Sequence, residues 1–291
     1  MVFSSEHKAL NLSFIKYLVF NMNSNLANIK VVISDLDGTL LNSQHQISDY
    51  TKNVFQQLHD KNHLIIVATG RHHLDALPIV ESLGCPVYLV TSNGARIHSP
   101  RKELLFSFDI KSDAIKSVLS LDIDSEITTV LFREHVWQTN KENKKLNSFQ
   151  TEMNYPPEIV DFDTIEDLSA IKLLFTGDHQ KLVSLKDSIL ENHSDEFSSA
   201  FSLPFCLEFM DKSVDKSVAI SRILEKYELT FDQAIAFGDG FNDEKMLVSS
   251  GKAMIMENAA ESLKNKLPHL EVITSNDDDG VAKYLQEMLL T

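Results

Sequence analysis

The order of apolar and polar positions predicts two stretches of parallel-sheet pattern with a different pattern between them. In the first stretch, strands and helices alternate: apolar strands are predicted at residues 31–33, 64–68 and 87–90, an amphipathic helix over residues 48–61, and a helical stretch up to residue 83. Ser48 is placed to cap the first helix. Strands that alternate with helices in this way predict right-handed parallel crossovers.

Between residues 111 and 210 the pattern changes to short alternating strands. They are predicted at residues 128–132, 136–139, 171–175 and 206–210. A charge-rich helical segment separates the last two, and residues 156–157 and 198–199 are predicted to be loops. The pattern indicates an inserted α+β domain with an antiparallel sheet.

The parallel pattern returns after residue 210. Strands are predicted at residues 234–237, 253–256 and 271–273, and helices over residues 217–227, 244–250 and 281–289. The helix over residues 217–227 is expected to place the following apolar side chains on one side: Val218, Ile223, Leu224 and Tyr227. The expected fold class is therefore α/β: a Rossmann-like parallel-sheet core formed by residues 30–110 and 211–291, with the α+β domain of residues 111–210 inserted into it.

Composition limits the partners that this chain could have. Its net charge of -15 argues against non-specific binding to nucleic acid or to an anionic membrane, because both are polyanions. The apolar run at residues 10–20 is too short to span a bilayer, and residues 1–29 are expected to form a poorly ordered extension or a docked helix. Cys85 and Cys206 lack metal-ligand spacing and are expected to be reduced thiols. We expect a cytoplasmic protein that is a monomer or a weak homo-oligomer.

Polar side chains follow several of the predicted strands. Asp35 and Asp37 come directly after the first strand, Thr69 follows the second, and Asp239, Asn242 and Asp243 follow the strand at residues 234–237. The carboxyl ends of the strands of an open α/β sheet are where ligands bind, so these side chains are expected to meet in one cleft, together with Lys216 at a helix start. Carboxylates crowded in this way repel one another unless a cation is present. Hard oxygen ligands favour Mg²⁺, and no EF-hand spacing is found at Asp35 or at residues 277–280.

Such a cleft suits phosphoryl transfer. A carboxylate beside Mg²⁺ can attack phosphorus and form an aspartyl-phosphate, and Lys216 and Thr69 are donors of the type that neutralises the transferring group. Asp37 can protonate the leaving oxygen and then accept a proton from the attacking water. The alternative from the residues alone is a plain surface turn in which Asp and Gly serve only as turn formers.

Four motifs together resemble those of the haloacid dehalogenase superfamily. They are Asp35-Leu36-Asp37-Gly38-Thr39-Leu40, Thr69-Gly70-Arg71, Lys216, and Gly238-Asp239-Gly240-Phe241-Asn242-Asp243. The insertion between the second and third motifs resembles the type 2 cap of the Cof-type branch, and the closest likeness is to bacterial phosphatases acting on pyridoxal phosphate and hexose phosphates. Two departures are Ser217, where family members often have Gly, and an extra residue in the run at 253–259.

The resemblance implies a role for each matched residue. Asp35 would be the nucleophile and a Mg²⁺ ligand, Asp37 the acid and base with its backbone carbonyl on Mg²⁺, and Asp239 a further Mg²⁺ ligand. The residues that would bind the phosphate of a small phosphorylated metabolite are Leu36, Thr69, Gly70, Lys216 and Asn242. Arg71 is an additional candidate for the phosphate, and Asp243 for orienting Lys216 or metal-bound water.

The resulting hypothesis is a Mg²⁺-dependent phosphatase for small phosphomonoesters, pyridoxal phosphate or hexose phosphates among them. A phosphomutase shares the aspartyl chemistry, and a non-catalytic sensor of a phosphorylated ligand would share the fold. For residues near the site, we expect one of His72 and His73 to be packed and the other solvated, and Trp137 to belong to the core of the inserted domain.

Overall fold

A computed structural model of the protein describes residues 28–144, 146 and 157–291. The prediction for the N-terminal extension therefore lies, up to residue 27, outside the described residues, and so does the loop predicted at Pro156. The described part of the chain forms two sheets, one of eight strands and one of six.

The eight-stranded sheet is built from both ends of the chain. Its strands are β1 (Val31–Ser34), β2 (Leu64–Ala68), β3 (Tyr88–Thr91), β4 (Arg96–His98), β5 (Leu104–Ser107), β12 (Ala234–Gly238), β13 (Lys252–Met256) and β14 (Glu271–Ile273), in the spatial order β14-β13-β12-β1-β2-β3-β4-β5. The six strands from β14 to β3 are parallel. This confirms the α/β class and the parallel core that the sequence predicts.

Strand β1 lies in the middle of that sheet and is buried on both faces. Val31 and Ile33 pack into one hydrophobic cluster, whereas Val32 between them packs into another on the opposite face. Successive side chains of a strand point to opposite faces, so a strand covered on both sides has an uninterrupted apolar run. β1 pairs with β12 on one side and with β2 on the other, which brings the ends of three strands to one edge of the sheet.

Helices cover the sheets. They are α1 (Asp49–Asp60), α2 (His73–Glu81), α3 (Ser112–Leu119), α4 (His179–His193), α5 (Lys216–Lys226), α6 (Glu244–Ser249), α7 (Glu261–Lys266) and α8 (Gly280–Leu285). The predicted cap of α1 is present, since the Ser48 hydroxyl accepts a hydrogen bond from the backbone N–H of Thr51 at 3.0 Å. Among the described residues, no helix combines the length and apolarity needed to cross a bilayer.

The predicted apolar side of α5 is partly wrong. Val218 and Tyr227 are 41% and 44% exposed, and the side chains that face the core belong to Ala219, Ile220, Ile223 and Leu224. These four side chains occupy positions i, i+1, i+4 and i+5 of the helix and form one apolar face. The face begins at the small Ala219, and the prediction assigns the larger Val218 beside it to the face in its place. Tyr227 instead lies at the rim, with its hydroxyl 2.7 Å from that of Tyr88.

The six-stranded sheet comes from the middle of the chain. Its strands are β6 (Thr128–Phe132), β7 (Trp137–Thr139), β8 (Glu158–Ile159), β9 (Lys172–Thr176), β10 (Phe197–Leu203) and β11 (Cys206–Asp211), in the order β10-β11-β9-β6-β7-β8. Every pair is antiparallel except β7 with β8. The loop predicted at residues 198–199 is wrong, because both serines lie within β10 and pair with β11.

Two short antiparallel strands, β4 and β5, extend the large sheet beyond β3. The pattern of apolar and polar residues does not predict them. A tight turn, Ser92–Gly94, joins β3 to β4, and Asn93 and Gly94 adopt positive φ angles of 56° and 111° in it. A side-chain carbon on Gly94 would lie 2.4 Å from the backbone oxygen of Asp215, so this position needs glycine. The turn is thereby packed against the residue that precedes Lys216.

Candidate active site

The centre of the site is the ammonium group of Lys216, which is 1% exposed. Its Nζ donates to Oδ1 of Asp35 at 2.5 Å and to Oδ1 of Asp243 at 2.7 Å. Lys216 is the first residue of α5, and the helix start is fixed by the side chain of Asp215, which accepts from the backbone N–H of Ser217 at 2.8 Å. Burial alone would lower the pKa of Lys216, but the two carboxylates outweigh it and raise that pKa, so the lysine is a fixed positive charge.

Asp35 stands at the end of β1, where its backbone N–H donates to the oxygen of Phe237 at 3.0 Å. Its pKa is raised well above the ordinary value, first by burial and then by the charge of Asp243, which together exceed the lowering effect of Lys216. The positive charge of Lys216 alone does not offset the burial of this carboxylate and the negative charge of Asp243. It therefore favours a further cation.

Asp243 is held by the loop that follows β12. Its Oδ2 accepts from the backbone N–H groups of Asp239 and Gly240, at 3.1 Å and 2.9 Å, while Oδ1 accepts from Lys216. Both of its oxygens are thus in use within the protein. The structure thus places Asp243 in contact with Lys216, and its role in orienting Lys216 or metal-bound water stays a prediction.

Asp239 lies beside the first motif. The hydroxyl of Thr39 donates to its Oδ1 at 2.8 Å, and Gly38 is so close that a side-chain carbon there would lie 2.4 Å from Oδ2. Burial is the main cause that raises the pKa of Asp239 to about 6, with the charge of Asp243 adding to it. The position of Gly38, with φ of 72°, is therefore one that only glycine accepts without displacing the carboxylate.

Carboxylate oxygens of Asp35, Asp239 and Asp243 lie within 4.8 Å of one another. Since Asp243 is committed to Lys216 and two backbone N–H groups, Asp35 and Asp239 are the two that could bind a cation. An all-oxygen set with two carboxylates at raised pKa is the donor set that suits Mg²⁺. The residues present therefore fit the metal that the sequence predicts.

Asp37 and Arg71 form a two-point ion pair. Nε of Arg71 donates to Oδ2 of Asp37 at 2.8 Å, and its terminal nitrogen donates to Oδ1 at 2.5 Å. The side chain of Asp37 remains 44% exposed toward the cleft. In this arrangement Arg71, a candidate for the phosphate, directly contacts the candidate acid and base.

The other predicted phosphate residues lie around the same edge. Thr69 is buried, its hydroxyl accepts from the backbone N–H of Arg71 at 3.1 Å, and Gly70 beside it lines the cleft. Asn242 lines the cleft too, whereas the Leu36 side chain packs into the hydrophobic core, so only its backbone could face a ligand.

Asn93 is a residue of this edge that the sequence analysis missed. Its side-chain oxygen accepts from Nδ2 of Asn242 at 3.0 Å, and it borders Gly70. The sequence does show a polar, glycine-bearing turn after the third strand. The left-handed backbone that directs the Asn93 side chain inward, however, depends on tertiary contacts.

The floor of a cavity of about 620 Å³ between the two sheets is formed by part of this site: Asp35, Asp37, Gly70, Arg71, Asn93, Asp239 and Asn242. Its opposite wall is largely apolar and comes from the six-stranded sheet and from Leu146. The residues of the sheet are Phe132, Trp137 and Leu174, with the ion pair of Lys172 and Glu208 at 2.9 Å. Trp137 is fully buried in a small cluster with Val130, Leu146 and Leu174, as predicted, and it also borders the cavity.

The prediction that one of His72 and His73 would be solvated is wrong. The two rings are 7% and 4% exposed, and their centroids lie 4.3 Å apart. Both are buried because α2 begins under the hairpin that connects β6 to β7, so neither side of the loop faces water.

The chain is similar to known proteins in both sequence and fold. The family of haloacid dehalogenase-like hydrolases matches residues 32–285. An HMP-PP phosphatase of Yersinia pseudotuberculosis is 33% identical over 239 residues, which cover 82% of this chain and 88% of the relative. A haloacid dehalogenase-like hydrolase from Bacteroides thetaiotaomicron has the same fold, with a TM-score of 0.81, 23% identity and coverage of 90% of this chain and 100% of the other. A crystal structure of a Thermotoga maritima protein gives a TM-score of 0.78 at 25% identity, covering 89% and 97%.

Proposed function

Because the chain belongs to the haloacid dehalogenase-like hydrolases and is a phosphatase, we propose that it hydrolyses small phosphomonoesters through an aspartyl-phosphate formed on Asp35. The observation that carries the proposal is the buried ammonium of Lys216, held between Asp35 and Asp243, with Asp35 itself lining the cavity. A buried lysine that touches the candidate nucleophile supports the placement of an anionic phosphoryl group next to that nucleophile.

Asp35 acts first in the proposed reaction. One of its carboxylate oxygens attacks phosphorus, the bond to the leaving oxygen breaks, and the phosphoryl group is transferred to the carboxylate. Lys216, the hydroxyl of Thr69 and the amide of Asn242 donate to the phosphoryl oxygens. Asp243 has no contact with the reacting atoms and instead keeps Lys216 in place.

Mg²⁺ fits between Asp35 and Asp239, where it would neutralise the phosphoryl oxygens and the carboxylates that repel one another. The backbone carbonyl of Asp37 is a further proposed ligand. The two carboxylates can approach a common cation only because Gly38 leaves room for Asp239.

Asp37 is the general acid and base of the proposed reaction. In its acid form it donates a proton to the leaving oxygen, which departs as the hydroxyl of an alcohol or, from a diphosphate, as the hydroxyl of a phosphate, and the resulting carboxylate then takes a proton from the water that attacks the phosphoenzyme. Arg71 holds this carboxylate by two hydrogen bonds. We propose that the bound phosphate draws the Arg71 guanidinium toward itself and so frees Asp37 to carry a proton, since a guanidinium binds phosphate in the same two-point geometry.

The shape of the cavity favours a substrate with a flat ring. Phe132 is partly exposed at the cavity wall opposite the carboxylates, and the fully buried Trp137 stacks on it, with ring centroids 5.8 Å apart and an angle of 7° between them. A planar heterocycle could pack on this apolar wall while Lys172 and Glu208 bind its polar substituents. We therefore propose that pyridoxal phosphate and HMP-PP, the compound named in the Yersinia pseudotuberculosis relative, are better substrates than hexose phosphates.

The test is phosphate release from pyridoxal phosphate, HMP-PP and hexose 6-phosphates, with Mg²⁺ or with EDTA. We expect release that requires Mg²⁺, favours the ring compounds, and falls by at least roughly 10⁴-fold in Asp35→Asn. Asp187→Asn is the matched control, because Asp187 is an exposed carboxylate on α4. Full activity in folded Asp35→Asn would refute the nucleophile, and a requirement for a sugar bisphosphate would favour a mutase.

A further inference from the structure

A second buried polar cluster lies outside the candidate active site, where the six-stranded sheet meets the large one. It consists of Arg96, His73, His98 and Glu134. The first three belong to the large sheet and to α2, whereas Glu134 belongs to the hairpin that connects β6 to β7. We call these four residues the clasp.

Arg96 supplies the strongest contact of the clasp. It is 3% exposed, and its Nε donates to Oε2 of Glu134 at 2.7 Å while a terminal nitrogen donates to Oδ1 of Asp109 at 2.6 Å. A third nitrogen donates to the backbone oxygen of Ala95 at 3.0 Å. The guanidinium is thus fixed on the side of the large sheet and offers one edge to the hairpin.

Two imidazoles face the other oxygen of Glu134. Nε2 of His73 and Nε2 of His98 lie 3.6 Å and 3.9 Å from Oε1, and Nδ1 of each ring is buried with no hydrogen-bond partner among the described residues. Burial is the main cause that lowers the pKa of both rings, to about 4 for His73, so they are neutral near pH 7. The tautomer with the proton on Nε2 directs both N–H groups toward the carboxylate.

A neighbouring contact joins the same two parts of the molecule. Nδ1 of His72 accepts from the backbone N–H of Leu74 at 3.3 Å, which leaves the proton on Nε2, and Nε2 lies 2.9 Å from the backbone oxygen of Arg133. His72 therefore donates to the residue that precedes Glu134.

The position of the clasp in the chain links it to the cavity. Arg133 and Glu134 lie between Phe132 and Trp137, the two rings of the cavity wall, and His72 directly follows Arg71, which holds Asp37. Fixing Glu134 therefore fixes the distance between the aromatic wall and the phosphate loop. A hairpin released from the clasp would carry both rings away from the carboxylates.

We propose that Glu134 is a positioning residue of the phosphatase, and that the clasp holds the aromatic wall closed over Asp35. The activity test of this proposal rests on the function proposed above. The structural test, by fluorescence, does not require turnover. Glu134 is not among the residues that line the cavity, so we expect its effect to pass through the lining residues Phe132 and Trp137.

A divalent transition metal is the other occupant that two imidazoles and a carboxylate could suit. The geometry favours the clasp for two reasons. Arg96 already engages the carboxylate with a positive charge, and a metal on both Nε2 atoms would move the protons to the two Nδ1 atoms, which have no described acceptor.

The first experiment uses the fluorescence of Trp137, the single tryptophan of the chain. Glu134→Ala should red-shift its emission and increase quenching by acrylamide, because the cavity face of the ring becomes accessible. The matched control is Glu126→Ala, which removes a carboxylate whose partner, Lys181, lies in the same inserted part and not in the large sheet. Glu134→Gln keeps an acceptor for Arg96 and should lie between the two.

The second experiment measures kcat/KM for pyridoxal phosphate and for acetyl phosphate, whose leaving group is too small to reach the wall. In Glu134→Ala, loss of a hydrogen-bonded charge pair should reduce the ratio of kcat/KM for pyridoxal phosphate to kcat/KM for acetyl phosphate roughly tenfold or more. The reduction should come from a higher KM for pyridoxal phosphate. Glu134→Gln should recover part of the ratio. Glu126→Ala should leave the ratio unchanged.

The outcomes separate the two proposals. Unchanged Trp137 quenching in folded Glu134→Ala would refute the clasp whether or not any ester is hydrolysed, and an equal loss for both substrates would show a merely structural role. Saturable Zn²⁺ binding to the wild type that disappears in His98→Gln would overturn the clasp in favour of a metal site. An absence of hydrolysis with increased quenching would support the clasp and refute the substrates proposed above.

Discussion

Replacing Gly38 with alanine is the sharpest test of the proposed metal site, because the change is small and its target is a single carboxylate. The added methyl carbon would lie 2.4 Å from Oδ2 of Asp239 and 2.8 Å from its Cγ, whereas ordinary contacts of such a carbon begin at 3.4 Å. The carboxylate must therefore retreat by about 1 Å, the difference between 3.4 Å and 2.4 Å. Metal sites keep their ligand distances within about 0.2 Å, so a shift of this size should weaken Mg²⁺ binding roughly 10- to 100-fold.

The backbone contributes a separate cost. Gly38 has φ of 72°, and an alanine in this left-handed region costs roughly 1–2 kcal/mol of folding stability. Gly84 supplies the control, since it has φ of 69° and its added carbon would meet only the side-chain amide of Gln56, the end of a flexible side chain. Gly84→Ala should therefore show the same loss of stability without any effect on the metal.

Two measurements separate these effects: urea unfolding in EDTA, and phosphate release as a function of Mg²⁺ concentration. We expect both variants to lose similar stability, and only Gly38→Ala to require about 10- to 100-fold more Mg²⁺ for half-maximal rate. A folded Gly38→Ala protein with the wild-type Mg²⁺ requirement would refute the role of Asp239 as a ligand.

Further predictions concern the proton carrier, the central lysine and the buried histidine. Asp37→Asn should slow both formation and hydrolysis of the phosphoenzyme, and an unchanged rate with an unchanged pH profile would remove its acid and base role. Lys216→Gln leaves Asp35 and Asp243 facing each other without their shared cation, so stability measured by urea unfolding in EDTA should fall by about 3–5 kcal/mol, and Mg²⁺ should restore part of it. His72 keeps a pKa of about 3 in the folded state against 6.5 when exposed, so the unfolded chain binds a proton that the folded one does not, and stability falls as pH falls from 6.5 toward 3. His72→Gln should reduce that slope, in unfolding experiments at several pH values, by about 1.4 kcal/mol per pH unit, and an identical slope would contradict the burial of a neutral ring.

The large sheet was predictable because its central strands are covered on both faces. An uninterrupted apolar run such as β1, followed by Asp35 and Asp37, shows both the strand and the polar residues at its end in the sequence itself. Strands β4 and β5 were missed because each has only three or four residues, and β5 is partly exposed, with Leu104 and Phe106 45% and 40% exposed. Short edge strands are formed by their neighbours more than by their own pattern.

The site was predictable in its residue types but not in its pairings. Motif spacing brings Asp35, Lys216 and Asp239 to one edge, yet nothing in the sequence shows that Arg71 would bind Asp37 or that Asn93 would reach Asn242. Such contacts depend on side-chain directions across loops that are distant in the chain. The clasp is of the same kind, since Arg96 and Glu134 are joined by packing between two sheets.

The central position of β1 also has a consequence for biosynthesis. β1 leaves the ribosome before its partner β12, which lies about 200 residues later, as the pairing of Val31 with Ala234 shows. All strand pairs of the six-stranded sheet, in contrast, form within residues 128–211, over much shorter loops. Closing a long loop costs more chain entropy than closing a short one, so the middle of the chain has the opportunity to form first. Asp35 and Asp239 would then come together last, when β12 pairs with β1.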